Sequence, residues 1–154
     1  MALSIGDTIP PFDLPGDGGT PVRSADLAGR PFVVYFYPKD DTSGCTKEAI
    51  SFSCLADAFA EAKVPVIGVS PDSAKSHDKF RAKHDLKVRL AADESHAMLE
   101  AWGVWAEKSM YGRKYMGVER TTVLVGADGK VARIWPKVKV EGHAEEVLAA
   151  VKAL

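Results

Sequence analysis

The chain predicts an α/β fold in which one mixed sheet is covered by helices on both faces, and three observations carry that prediction. Two runs, Phe32–Tyr37 and Val64–Ser70, are rich in β-branched and aromatic residues without alternation, the pattern of strands buried on both faces. Each run passes through a turn into a stretch of helical period, so strand and helix alternate as they do beside a parallel sheet. Beyond residue 119 the order changes. Arg120–Val125 and Val131–Trp135 flank Ala127-Asp128-Gly129-Lys130 as an antiparallel hairpin, and a last helix follows.

With 154 residues and 46% hydrophobic content, the chain suffices for one sizeable core, so residues 1–154 are expected to form a single domain. Formal net charge is −1 and like charges form no long block, which leaves no electrostatic footprint for nucleic acid or a membrane. The partner is expected to be a small molecule or another protein. Met1-Ala2-Leu3-Ser4 lacks a basic segment before an apolar core, and no apolar run approaches the ~20 residues of a membrane span, so a soluble, cytoplasmic protein is expected. The two cysteines match no zinc spacing, which makes redox chemistry their more natural use. His77, His84, His96 and His143 show no ligand spacing beyond the shared neighbourhood of the first two. They are expected to be solvated or satisfied locally, and no metal or cofactor is expected.

In chain order, Gly6–Pro15 is broken by proline too often for a helix and reads as an extended lead-in with a short edge strand, turned by Gly16-Asp17-Gly18-Gly19. Thr20–Arg23 returns, and Ser24–Gly29 makes one capped helical turn with a glycine stop. After the first buried run comes Pro38-Lys39-Asp40-Asp41-Thr42-Ser43-Gly44-Cys45. Its Asp, Thr, Ser and Gly residues are turn and cap formers, and the residues after it take up a helical period. Advancing ~100° per residue puts Cys45, Ala49, Phe52, Ala56 and Phe59 on one inward stripe, with Cys54 facing solvent. The run at Val64–Ser70 leads to a helix from Pro71-Asp72-Ser73 to about His84, with Phe80, Ala74 and His77 as its inward residues. A short strand near Val88–Ala91 precedes a helix capped by Asp93 and carrying Met98, Leu99 and Trp102. Gly103–Glu119, rich in aromatics and cations but without clear period, reads as a loop or loose hairpin, either a functional segment or a packing arm. The final helix, from Gly142 or His143 to Lys152, buries Val147, Leu148 and Val151.

This succession is the thioredoxin order of elements with an N-terminal extension. In such a sheet ligands sit at the carboxyl ends of the strands, where the Tyr37–Cys45 junction lies. Cys45 falls in the first turn of its helix, where unpaired N–H groups and the positive end of the dipole favour a thiolate. The plainer alternative is a small buried hydrophobe, the common fate of a free cysteine.

On these residues the sequence resembles the peroxiredoxins, and among them the bacterioferritin-comigratory, or Q-type, group. Residues 38–45 match the family's P-x-x-x-T-x-x-C, and Gly6, Pro10 or Pro11 and Phe12 echo its opening. Gly68–Ser73 is similar to the segment after its next strand, and Tyr111–Thr122 looks like the approach to its arginine. The resemblance implies that Cys45 is the peroxidatic thiol, attacking a hydroperoxide and becoming a sulfenic acid. It carries Thr42 over as the hydroxyl that binds peroxide and thiolate, Arg120 as the guanidinium and Pro38 as the wall shielding the thiolate. Charge developing on the leaving oxygen calls for such donors. Thr42 also suits a helix cap, and Glu48 suits the dipole while orienting Arg120.

Where many group members carry a resolving cysteine, five residues after the first, this chain has Ile50, and Ser73–His84 contains none; only Cys54 remains. In an intact helix Cys54 stands ~13.5 Å along the axis from Cys45, whereas a disulfide needs Cα atoms within roughly 7 Å, so resolution by Cys54 requires unwinding. The alternative is an external thiol. The expected partners are a hydroperoxide and thioredoxin or another thiol reductant, and a monomer is expected rather than a dimer. A dithiol oxidoreductase is disfavoured because Cys-x-x-Cys is absent, Glu48 standing at its second cysteine. A peroxide sensor or holdase triggered by Cys45 is the competing function.

Overall fold

The computed structural model describes residues 3–154; the opening Met1-Ala2, part of the segment read as lacking a leader, lies outside them. A ribbon of β1 (Asp13–Leu14) and β2 (Val22–Arg23) encloses a single 3-10 turn at Asp17–Gly19 and leads to α1 (Ser24–Leu27). Then come β3 (Phe32–Phe36), α2 (Ser43–Cys54), α3 (Ala56–Glu61), β4 (Val66–Ser70), α4 (Ala74–His84), β5 (Arg89–Ala92) and α5 (Ala97–Ala101). The chain closes with β6 (Trp105–Met110), β7 (Arg113–Val118), β8 (Thr121–Val125), β9 (Val131–Trp135) and α6 (His143–Lys152).

The main sheet runs β5-β4-β3-β8-β9, parallel from β3 to β5 and antiparallel through β8 and β9. Strand β3 is central, and every one of its residues is buried. Its alternate side chains feed two cores. Val33 and Tyr35 meet Cys45, Phe52, Phe80 and Val147 on one face, while Phe32, Val34 and Phe36 meet Leu99, Trp102 and Val123 on the other. The unalternating apolar run follows from this two-sided burial. The thioredoxin-like mixed sheet covered on both faces is therefore as the sequence predicts, with the β1–β2 ribbon as its extension.

Several local expectations are corrected. The helix after Cys45 does not run on to Phe59: it breaks at Leu55 (φ −100°, ψ 8°), whose N–H bonds the carbonyls of Phe52 and Ser53 in a tightened turn. The break re-aims α3 so that Phe59 still reaches the core while Ala56 is only half-buried. Ser24 caps no helix; its hydroxyl accepts from Phe12 N–H at 3.0 Å and donates to Phe12 O at 3.2 Å, tying α1 to the lead-in. Ala74 is half-buried, so His77 and Phe80 alone fill the inward face of α4. The N-cap position of α5 falls to His96, not Asp93, though Asp93 Oδ2 accepts from Leu99 N–H in the first turn at 2.8 Å.

Residues 105–118 form a regular antiparallel hairpin, paired from Trp105–Val118 to Met110–Arg113 and turned by Tyr111 and Gly112 at φ 52° and 76°. No period shows in its sequence because β7 stays exposed over most of its length and supplies little apolar patterning. His77 and His143 are buried, not solvated. Among the described residues, no helix is long and apolar enough to cross a membrane.

Candidate active site

Strand β3 delivers the chain to the carboxyl edge of the sheet, where Tyr37 N–H still bonds Val69 O at 3.0 Å. Pro38, half-buried, ends the strand; Asp41 turns the backbone at φ +60°, a conformation Asp tolerates better than most residues. Thr42 then occupies the cap position of α2 with extended backbone, and its carbonyl accepts from Thr46 N–H at 2.8 Å. Cys45 thus lies in the first turn of α2, with 2% of its surface exposed.

Arg120 immediately precedes the neighbouring strand, β8. The pairing of Phe36 with Thr121 puts the residue before β8 beside the end of β3. Its Nη2 lies 3.3 Å from Cys45 Sγ and its Nη1 donates to Glu48 Oε1 at 2.7 Å. A Cβ at Gly44 would stand 3.2 Å from Arg120 Nη2, so the bare backbone there lets the guanidinium lie close across the helix start. Cys45 and Glu48, one helical turn apart on α2, share this one cation. Burial pushes the Glu48 carboxyl up to about 7 against the pull of Arg120. Burial works against the charge on Arg120 as well, but Glu48 and Cys45 outweigh it and hold the guanidinium above its ordinary value. Burial, then the Arg120 charge, lower the ammonium of Lys108 on β6. Glu48 Oε2 and the nearby Tyr35 hydroxyl are buried without hydrogen-bond partners.

Thr42 behaves differently from expectation as a cap. Its hydroxyl donates to Lys39 O at 2.9 Å and bonds no backbone N–H of α2, because the turn at Asp41 brings that carbonyl within reach first. Cys54 ends α2 and is exposed, so helical backbone separates the two thiols.

Sequence reasoning missed a second polar cluster behind the turn. Asp40, buried, accepts from the Tyr37 hydroxyl at 2.6 Å, from Ser76 at 2.8 Å and faces His77 Nδ1 at 2.7 Å. His77 Nε2 lies 3.0 Å from Ala91 O, and Asp72 Oδ2 accepts from Asp40 N–H and Ser70 Oγ. These bonds correct the expectation of local satisfaction for His77, since its partners come from distant segments. Ligand atoms of Asp40, Asp72 and His77 lie within 4.8 Å of one another, but the contacts just described already occupy them. Asp41 further bonds Lys83 and His84 at the end of α4. The faint signal was the inward stripe of α4, which places His77 beside Phe80.

A thiol at a helix start with a guanidinium on its sulfur is equipped to act as a nucleophile and to stabilise an anionic leaving atom. Residues 5–134 match the model of the AhpC/TSA family. The chain belongs to that family. Peroxiredoxin Bcp of Bacillus subtilis is 44% identical over 152 residues, covering 99% of this chain and 97% of its own. The bacterioferritin comigratory protein of Xanthomonas campestris superposes with a TM-score of 0.88 at 45% identity, over 92% of this chain and 90% of that one. PrxQ of Xylella fastidiosa gives a TM-score of 0.94 at 39% identity, over 99% and 98% of the two chains. This peroxiredoxin is accordingly a thiol-dependent peroxidase, an oxidoreductase that acts on hydroperoxides and is recycled by thiols.

Proposed function

We propose that residues 1–154 work as one domain in which Cys45 is the peroxidatic thiol, and the observation that carries this is the Arg120 guanidinium bridging Cys45 Sγ and Glu48. The thiolate attacks the terminal oxygen of a hydroperoxide. A sulfur–oxygen bond forms as the O–O bond breaks, and the electron pair leaves on the other oxygen, which takes up a proton to become water or an alcohol. Arg120 and the N–H groups at the start of α2 stabilise the charge on the leaving oxygen. Glu48 holds Arg120 in place, Pro38 shields the sulfur, and Thr42 turns its hydroxyl from Lys39 O toward the bound peroxide. Organic hydroperoxides are substrates alongside hydrogen peroxide. The alkyl peroxide reduction activity of the Xanthomonas relative supports the same reading.

Recovery of the sulfenic acid falls to an external thiol, thioredoxin or another reductant. Its sulfur attacks that of Cys45, releasing water, and a second thiol then reduces the mixed disulfide. The support for this is the intact helix between Cys45 and Cys54, whose Cα atoms are held well beyond the roughly 7 Å a disulfide allows. The protein acts in the cytoplasm as a monomer.

Peroxide turnover with a thioredoxin system and with glutathione tests the whole reading. Cys45→Ser should reduce turnover to background, and Cys54→Ser should leave it unchanged. Full activity of Cys45→Ser would overturn the assignment. A Cys45–Cys54 link in the mass spectrum of the peroxide-treated protein would replace the external thiol by Cys54.

A further inference from the structure

A second cavity, about 460 Å³, opens at the far end of the sheet from Cys45. It is bounded by residues at the amino ends of the parallel strands: Arg30 before β3, Val64–Val66 entering β4 and Lys87–Arg89 entering β5. Phe52, Phe59 and Val88 reach its floor only with the edges of buried core side chains, while Ala56, Ala60 and Pro65 present its accessible apolar surface. Its size falls in the range of sites that take small organic ligands, roughly 300–1,000 Å³.

The charged residues that line it have one sign. Arg30, Lys63, Lys87 and Arg89 all contribute to the lining, and no aspartate or glutamate does. Two of these cations are answered from outside the cavity, Arg89 by Asp17 at 3.1 Å and Lys87 by Asp85 at 3.2 Å. Among the described residues, Arg30 and Lys63 take part in no ion pair. The carbonyls of Phe59 and Ala60 nearby already accept from Val64 and Lys63 N–H at 3.0 Å. An apolar cavity edged by two unanswered cations is complementary to a molecule with an aliphatic body and one anionic end. A bare inorganic anion would leave the apolar surface unused, and a neutral hydrocarbon would leave both cations unpaired.

We propose that this cavity binds a free single-chain aliphatic carboxylate, its chain along Ala56, Ala60 and Pro65 and its carboxylate at the Arg30–Lys63 edge. The assignment is independent of the chemistry at Cys45.

Decanoate, kept below its micelle concentration, is the probe, followed by calorimetry and by amide shifts of the labelled protein. Saturable one-to-one binding is expected, with shifts centred on Ala56, Ala60 and Val88. Decanol and acetate should each bind at least tenfold more weakly. The double variant Arg30→Glu/Lys63→Glu should weaken decanoate at least tenfold, and Ala60→Trp, at an exposed position of α3, should abolish binding by filling the cavity. Circular dichroism establishes that each variant is folded; should the double variant not fold, Lys63→Gln with a threefold loss or more replaces it. Absence of saturation, equal affinity for decanol, indifference to the charge changes, or shifts located elsewhere would each overturn the proposal.

Discussion

Two buried polar clusters flank the turn from Pro38 to Gly44, and they are built to opposite rules. Around Asp40 both carboxylate oxygens are bonded, by Tyr37, Ser76 and His77, and His77 in turn reaches Ala91 O. Around Cys45 a single guanidinium serves two acids, while Glu48 Oε2 and the Tyr35 hydroxyl go without partners. Buried polar groups cost free energy unless they are paired, so the first cluster can hold the turn rigid and the second carries the cost of unsatisfied polar atoms. Pairing is incomplete where the thiol and the guanidinium meet, the kind of setting in which perturbed ionisation marks candidate functional groups.

Arg120→Ala is the strongest way to break this contrast. Turnover should fall by about 10²–10³-fold, the usual loss when a donor to a developing anion is removed, read from initial rates with hydrogen peroxide. Next is Asp40→Ala, which should destabilise the fold by about 3 kcal/mol in urea unfolding because His77 is left buried without its carboxylate. Turnover of the folded fraction should change less than tenfold. A rate loss matching that of Arg120→Ala with unchanged stability would dissolve the distinction between the clusters.

Glu48→Gln sharpens the contrast through pH. Glu48 titrates near 7 when folded, pushed up by burial against the opposing pull of Arg120, compared with 4.5 for the ordinary side chain. The folded protein therefore keeps a proton that the unfolded chain releases between those values. This group's contribution to stability falls as pH rises from 4.5 to 7 and is then constant. The glutamine variant should lose that slope, worth on the order of 1–3 kcal/mol across the window, in urea midpoints taken from pH 4.5 to 8. The smallest effect is expected at Tyr35→Phe. Its hydroxyl is buried and unpartnered, so removal should leave stability unchanged or raise it by up to about 1 kcal/mol.

What could be read without the structure followed local rules. The run Phe32–Phe36 announced a two-sided strand because its residues suit nothing else, and the turn chemistry of residues 38–44 put Cys45 in the first helical turn. Arg120 was reachable through resemblance, not through spacing, since the register between β3 and β8 alone brings it to the sulfur. The Asp40–His77 cluster was not legible, because the inward place of His77 on α4 does not say which distant carboxylate it meets until α4 packs onto the sheet. The regular hairpin at 105–118 was hidden for the converse reason, its exposed faces demanding no apolar period.

The chain by itself determined the alternation of strands and helices and the helix-start setting of Cys45, since backbone preference and apolar period act over a few residues. Tertiary structure decided the rest: that Arg120 lies 3.3 Å from Cys45, that Glu48 is buried with one oxygen unpaired, that Thr42 bonds Lys39 O, and that a cationic apolar cavity opens behind Phe52. Each of these depends on which distant segments the sheet register and the two cores bring together. Contacts across dozens of residues carry no local signature, and the cost of burying charge exists only once the interior is closed.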